Sequence, residues 1–320
     1  MQAIRYSPEV RDAWNKMVQQ CCNGTFLLDR RFMDYHEDRF QDASLLLMEK
    51  GKLKGLLPAN IKGDIIQSHG GLTYGGLLHT ANTSSEEVEK MLDAALDYYR
   101  NSVLAKTLEY RPSPYIYHTY PAEQSLYFLF RRGMTQTACM LSSTIDLHQP
   151  LPLSQLRKRC RKKAIQYGVT LHKACQEGQW KLFWKILSQV LLKRHGKQPV
   201  HSLTEILYLH NLFPDNIQLI YAENNGDMIA GTVLFITPCT IHAQYIAANE
   251  EGKSTGALDL IFTEIIHSST NTQSSPKYLD FGISTEDEGR LLNGGLVSQK
   301  EMFGGRGVIY DHYRLPIRVG

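Results

Sequence analysis

Two stretches of this chain carry the same order of elements at a near-constant spacing, and that repeat limits the fold more than any other feature. In the first stretch an apolar run at 44–48 enters a Lys50-Gly51 turn and resumes over 53–59. In the second, an apolar run at 217–223 meets Asn224-Asn225-Gly226-Asp227 and resumes over 228–236. Two apolar runs around a short Gly-containing turn predict a β-hairpin. Each hairpin precedes a helical pattern. Ser84-Ser85-Glu86-Glu87 offers an N-cap with acids in the first turn, and Val88, Met91, Leu92, Ala95, Leu96 and Tyr99 follow at helical spacing. Residues 256–267 carry Leu258, Ile261, Phe262, Ile265 and Ile266 in the same rhythm. A short apolar strand then follows each helix, at 108–110 and 279–281. Leu108 and Leu279 stand 171 residues apart, as do Gly133 and Gly304, while the hairpin glycines Gly51 and Gly226 stand 175 apart. Helices between strands imply parallel pairing and hairpins imply antiparallel pairing. The expected class is α+β, mixed sheets with flanking helices, in two tandem domains around a shared cleft.

The 171-residue offset sets the expected boundary near 147, giving lobes of 1–147 and 148–320. Composition excludes several classes. With 42% hydrophobic and 21% charged residues the chain is globular rather than disordered. No apolar run approaches the roughly 20 residues that span a bilayer. The first residues, Met1-Gln2-Ala3-Ile4-Arg5-Tyr6, lack the apolar core of a secretory signal. Six cysteines at 21, 22, 139, 160, 175 and 239 form no C-x-x-C pair, so a reduced, cytoplasmic protein is expected. A net charge of +3 argues for no DNA partner, and any anion site must come from local clustering.

Three motifs stand out. Ser68-His69-Gly70-Gly71-Leu72-Thr73-Tyr74-Gly75-Gly76 is glycine-dense. Arg157-Lys158-Arg159-Cys160-Arg161-Lys162-Lys163-Ala164, followed by Tyr167-Gly168-Val169, is a basic helix. Lys300-Glu301-Met302-Phe303-Gly304-Gly305 ends in a Gly-Gly turn. In this order they resemble the FemAB-like acyltransferases, a family of doubled GNAT domains that includes the Fem peptidyltransferases. The resemblance implies transfer of an acyl or aminoacyl group to an amine by direct attack. It implies an acyl donor, aminoacyl-tRNA or acyl-CoA. The twelve histidines give no clear ligand pair, so no metal is expected. The resemblance also implies an acceptor that is a small molecule, an amino sugar or a cell-wall precursor. Departures are plain. Gln299 stands where an aromatic residue usually precedes the lysine, the helical arm of some members is absent, and Glu250-Glu251-Gly252-Lys253-Ser254-Thr255-Gly256-Ala257 replaces the pyrophosphate loop of CoA-binding GNAT domains.

From the resemblance, Lys300 would stabilise the oxyanion, since a fixed cation beside a developing negative charge favours the transition state. The alternative is a surface lysine before a turn. Phe303, Gly304, Gly305 and Arg306 follow as substrate-binding candidates, against a plain helix-to-strand turn. Ser68, His69, Gly70, Tyr74, Gly75 and Gly76 offer exposed amides and an aromatic hydroxyl to a substrate, or else a bulge that eases sheet packing. Arg111, beside two prolines, suits an acidic substrate group or a rigid loop. Arg157, Arg161 and Lys162 would hold the anionic donor, against a solvated helix face. Asp280, flanked by Leu279 and Phe281, is expected to face a cleft, and Glu286 is a second candidate carboxylate for proton transfer.

Several tempting motifs fail. The P-loop-like Ala247-Ala248-Asn249-Glu250-Glu251-Gly252-Lys253-Ser254 starts on alanine rather than glycine. His36-Glu37-Asp38-Arg39-Phe40 lacks a second histidine, and Gly282-Ile283-Ser284-Thr285-Glu286 lacks the second glycine of a nucleophile elbow. The reading is a two-lobed transferase whose first lobe binds the acceptor and whose second carries the donor and the chemistry. Its rivals are an acyl-CoA-dependent N-acetyltransferase acting on a small amine and a non-catalytic double-GNAT binding module.

Overall fold

The computed structural model describes residues 1–269 and 276–317. Its contacts divide the chain into two units. The first holds Met1–Leu141, Thr285–Leu291 and Ile309–Gly320, and the second holds Ser142–Ser284 and Leu292–Val308. The first crossing falls six residues before the expected 147, and two C-terminal segments return to the first unit.

In chain order the first unit contains β1 (Gln2–Arg5), α1 (Arg11–Gln20), β2 (Leu45–Glu49), β3 (Lys52–Leu57), β4 (Asn60–Lys62) and β5 (Ile65–Gln67). It continues with β6 (Leu78–His79), α2 (Ser85–Asn101), β7 (Thr107–Tyr110), α3 (Gln124–Arg131) and the start of β8 (Thr135–Asp146). Lys50 and Gly51 both take positive φ, 49° and 74°, and so make the tight hairpin turn whose twist matches paired strands. Strands β1, β2, β3 and β6 form one antiparallel sheet in that order. The helix α2 begins with a capping box in which Ser84 and Glu87 satisfy each other's backbone amides. Its buried stripe, with Val88, Met91, Leu92 and Tyr99, packs on Leu45, Leu47 and Leu57.

The second unit contains α4 (Gln155–Gln166), β9 (Thr170–Lys173), α5 (Glu177–His195), α6 (Leu203–Leu212), β10 (Ile217–Asn224) and β11 (Asp227–Ile236). After these come β12 (Thr240–Ala248), α7 (Glu250–Thr255), α8 (Ala257–Ser269), β13 (Tyr278–Ile283), α9 (Gly294–Glu301) and β14 (Arg306–Pro316), whose residues from Ile309 onward lie in the first unit. Asn225 and Gly226 repeat the turn of the first hairpin, with φ of 50° and 87°. The strand order is β9-β10-β11-β12-β13-β8, antiparallel except for the parallel pair β12–β13. The apolar side of α8, with Ile261, Phe262 and Ile265, lies in one core with Ile229, Leu279, Phe281 and Phe303.

This is the expected α+β class, mixed sheets with flanking helices, and both hairpins and the helix that follows each fall within a few residues of the expected positions. One difference separates the repeats. In the second unit the strand after the hairpin is whole, and β12 pairs with β13. In the first unit the corresponding stretch is interrupted. β5 takes the parallel place beside β7, and the chain returns through the glycine segment before β6 rejoins β3. No helix among the described residues is long and apolar enough to cross a membrane.

Candidate active site

The parallel strands β12 and β13 stay paired only from Thr240 with Tyr278 to His242 with Asp280. Beyond that point β12 runs on to Ala248 and β13 to Ile283. Where parallel strands part at their carboxyl ends, backbone and side chains line a crevice suited to a ligand. A cavity of about 580 Å³ opens there, walled by Ile246, Phe281, Met302 and Phe303 and bordered by Arg157, Arg194, Lys253 and Lys300. Its walls are apolar and its border is cationic. The first unit has a slightly larger cavity, about 650 Å³, beside Arg100, Arg131 and Arg132. There Arg100 pairs with Asp97, Arg131 with Glu89 and Arg132 with Asp93, as Arg157 pairs with Asp259 and Lys253 with Glu250 at the split-strand cavity.

Lys300 lies in the last turn of α9 and is buried, not the surface lysine of the plainer expectation. Its Nζ donates to the Gly282 carbonyl at 2.6 Å, the Ile283 carbonyl at 3.0 Å and Ser284 Oγ at 2.7 Å. Burial lowers its ammonium pKa to about 8, against the opposing pull of Asp280. All three N–H bonds of the ammonium are therefore engaged, and they tie the end of α9 to the end of β13.

Asp280 does not face a cleft, which corrects the sequence expectation: its side chain is fully buried. Its alternation on β13 points it at β8 and β12, whose side chains cover it. Oδ1 accepts from Ser142 Oγ at 2.5 Å and Thr144 Oγ1 at 2.9 Å, and Oδ2 lies 2.7 Å from His242 Nδ1. His242 keeps 16% of its side chain exposed. Sequence reasoning missed it, because nothing local links a strand histidine to an aspartate 38 residues away. The link exists only through the short parallel pairing. Glu286 is exposed and belongs to the 285–291 segment of the first unit, not to the unit that carries Lys300 and Asp280.

Phe303 is buried among Phe262 and Phe281, with the Arg157 guanidinium 4.4 Å from its ring centre. Gly304 has φ of 98°, a conformation that favours glycine. Gly305 turns its amide onto the Lys300 carbonyl at 3.2 Å. Arg306 is exposed and hydrogen-bonds the neighbouring Gly305 carbonyl at 2.6 Å. On α4, Arg157 pairs with Asp259 at 3.0 Å, Arg161 is half-buried and Lys162 is exposed. Arg157 therefore borders the cavity with part of its charge already matched.

The glycine segment of the first unit is used heavily by its own fold. A Cβ on Gly75 would stand 2.0 Å from the Ser68 carbonyl oxygen, and the Gly75 amide donates to Arg111 O at 2.7 Å. Gly76 has φ of 86° against the Tyr110 ring, and Gly70 donates to Asn60 Oδ1 at 2.6 Å. Tyr74 is buried with its hydroxyl on Thr25, and Ser68 Oγ accepts from the Arg111 amide. His69 is buried beside His36, and burial with that neighbour lowers its pKa to about 3. His69 borders a cavity of about 520 Å³ with Arg5, Arg11, Arg30 and Phe40.

No protein-family model matches the sequence, and no curated protein matches it. Solved structures do match in three dimensions. FemX aligns with a TM-score of 0.70 at 10% identity, over 98% of this chain and 97% of that one. L-PGS from Bacillus licheniformis aligns at 0.62 and 10% identity, over 99% and 94%. A tandem GNAT protein from the clavulanic acid biosynthesis pathway aligns at 0.51 and 10% identity, over 100% and 99%. At these identities the likeness is one of fold: the chain has a tandem GNAT architecture, the fold that the resemblance in the glycine segment, the basic helix and the Lys300 motif implies.

Proposed function

We propose that this protein transfers an aminoacyl group from tRNA to the amine of a small or cell-wall-precursor acceptor, in the cytoplasm and without a metal. The second unit takes the donor. The single observation that carries this reading is charge. Residues 147–204 hold twelve Lys and Arg against one acid, Glu177, in a chain whose net charge is only +3. This stretch contains α4 and α5, and each brings an arginine, Arg157 and Arg194, to the border of the split-strand cavity. A polyanionic carrier suits that distribution.

The turn before α7 supports the same choice over acyl-CoA. Glu250 and Glu251 begin the helix, and the Asn249 side chain already accepts the Gly252 amide at 2.8 Å. A pyrophosphate would meet two carboxylates there. The apolar cavity receives the acyl end of the donor, and Lys300 holds the backbone beside it. The acceptor is assigned to the first unit, at the cavity bordered by His69 and Arg11.

The test is transfer of radiolabelled amino acid from charged tRNA, set against transfer from acetyl-CoA, to a panel of amines. Label moving from tRNA, with a rate that falls steeply as salt rises, supports the reading. Transfer from acetyl-CoA alone replaces it with the N-acetyltransferase. Ligand binding without transfer from either donor replaces it with the binding module.

A further inference from the structure

The Asp280–His242 pair has a feature that a purely structural ion pair does not need. Asp280 is fully buried and takes three donors, whereas His242 is partly exposed. A carboxylate offers only acceptors, so the shared proton sits on Nδ1 and the lone pair of the neutral ring lies at Nε2. Nε2 has no hydrogen-bond partner among the described residues. The imidazole is thus held in one tautomer and one orientation by a carboxylate that is itself held by Ser142 and Thr144, the arrangement that makes a histidine an effective base.

Its position relative to Lys300 adds a second, independent observation. A Cβ on Gly282 would stand 3.4 Å from His242 Cε1, while the Gly282 carbonyl accepts from Lys300 Nζ at 2.6 Å. The absent side chain leaves the imidazole room above the β13 backbone, and the two groups flank one residue. Phe281, the neighbour of Gly282, lines the split-strand cavity.

We propose that His242 is the proton acceptor for the incoming amine and that Asp280 is its positioning residue. This rests on the transferase reading and gives it a residue for proton transfer. The amine nitrogen attacks the ester carbonyl carbon, a C–N bond forms and the carbonyl π pair moves to oxygen. Nε2 takes one proton from that nitrogen. As the tetrahedral adduct collapses, the C–O bond to the carrier breaks with its electron pair, and the imidazolium returns the proton to the leaving oxygen. Amide and free carrier hydroxyl result, and His242 ends neutral.

The test uses the full chain with charged tRNA and, in parallel, acetyl-CoA. His242→Gln keeps an N–H for Asp280 but no basic nitrogen. It should fold with an unchanged melting temperature and lose on the order of 10²–10⁴ in kcat, the usual share of general-base catalysis. His242→Ala should regain turnover with added imidazole. Nitrogen NMR of the wild type should show His242 protonated at Nδ1 and not at Nε2. A His242→Gln chain with wild-type turnover, or an unprotonated Nδ1, overturns the proposal and leaves the transferase reading standing. A wild type that transfers from neither donor overturns that reading and this role together.

Discussion

His242 Nδ1 lies 2.7 Å from Asp280 Oδ2, at the last paired position before two parallel strands separate. Had the strands stayed paired, no crevice would open beside Phe281. Had they parted earlier, the imidazole and carboxylate would not meet. The same short pairing therefore sets both the cavity and the dyad.

That geometry predicts graded effects at Asp280. Asn in its place offers one acceptor oxygen to three donors, two of them wholly buried hydroxyls, and should cost about 1–3 kcal/mol. Asp280→Ala removes the acceptor altogether and should cost more, because Ser142, Thr144 and His242 all lose it. Denaturant midpoints at constant slope measure both. Equal stability of wild type and Asp280→Ala would show that the three contacts contribute nothing.

Lys300 predicts a pH effect of definite sign. Its folded value near 8 lies below the ordinary 10.5 of the unfolded chain. Below pH 8 both states carry the proton. Between pH 8 and 10.5 the unfolded chain binds it and the folded chain does not, so this group makes stability rise with pH. The rise amounts to roughly 3 kcal/mol at 1.36 kcal/mol per pH unit. Buried tyrosines such as Tyr99 and Tyr110 act in the opposite direction, so the quantity to read is the difference between wild type and Lys300→Met. That difference should grow in favour of the wild type as pH rises from 8 to 10. Parallel curves would place the lysine in ordinary solvent. Lys300→Met should also lower turnover, because it releases the Gly282 and Ile283 carbonyls and loosens the backbone beside the cavity. Turnover at the wild-type level would remove Lys300 from the chemistry.

His69 predicts an effect of the same sign in a lower pH window. Burial beside His36 lowers its pKa to about 3, against 6.5 in the unfolded chain. As pH falls from 6.5 toward 3, the unfolded state takes up a proton that the folded state refuses. Stability should drop by roughly 4 kcal/mol across three pH units from this residue. His69→Asn keeps an acceptor for the Gly71 amide, which now donates to His69 Nδ1 at 3.3 Å. The variant should lose about one proton from the acid slope of unfolding. His118, also lowered by burial, to about 4, supplies the slope that remains. An unchanged slope in His69→Asn would mean that the imidazole protonates freely in the folded protein.

Local signals made the repeat legible. Lys50-Gly51 and Asn225-Gly226 mark their turns by residue type, and the Ser84 capping box and the stripe from Val88 to Tyr99 mark the helix by spacing. The Lys300 motif was legible as a motif, but its burial was not, since that depends on the carbonyls of Gly282 and Ile283. Asp280 was picked out by its apolar neighbours, which are equally the mark of a strand that buries an aspartate among its own donors. The glycine segment shows the same ambiguity. Dense glycine reports close approach of something, and at Gly75 the thing approached is the protein's own Ser68 carbonyl.

Arg157 offers a test in which fold and site can be separated. Its guanidinium pairs with Asp259, donates to the Gln299 carbonyl at 3.3 Å and covers the Phe303 ring, and both charged side chains are at most 14% exposed. Burial raises the Asp259 pKa and Arg157 opposes that rise. Arg157→Met leaves the carboxylate without its cation and should destabilise by about 3 kcal/mol, as removal of one partner of a partly buried pair does. Arg157→Met with Asp259→Leu removes both charges and should cost less than the sum of the single changes, with a coupling of about 1–3 kcal/mol. Additive effects would mean that the pair is not coupled. Donor binding should follow a different rule. If Arg157 also meets the phosphates of the donor, the double variant regains stability but not affinity, and its binding should depend less steeply on salt, by about one charge. Affinity returning together with stability would assign Arg157 to the fold alone and leave Arg194 and Lys253 as the cations that meet the carrier.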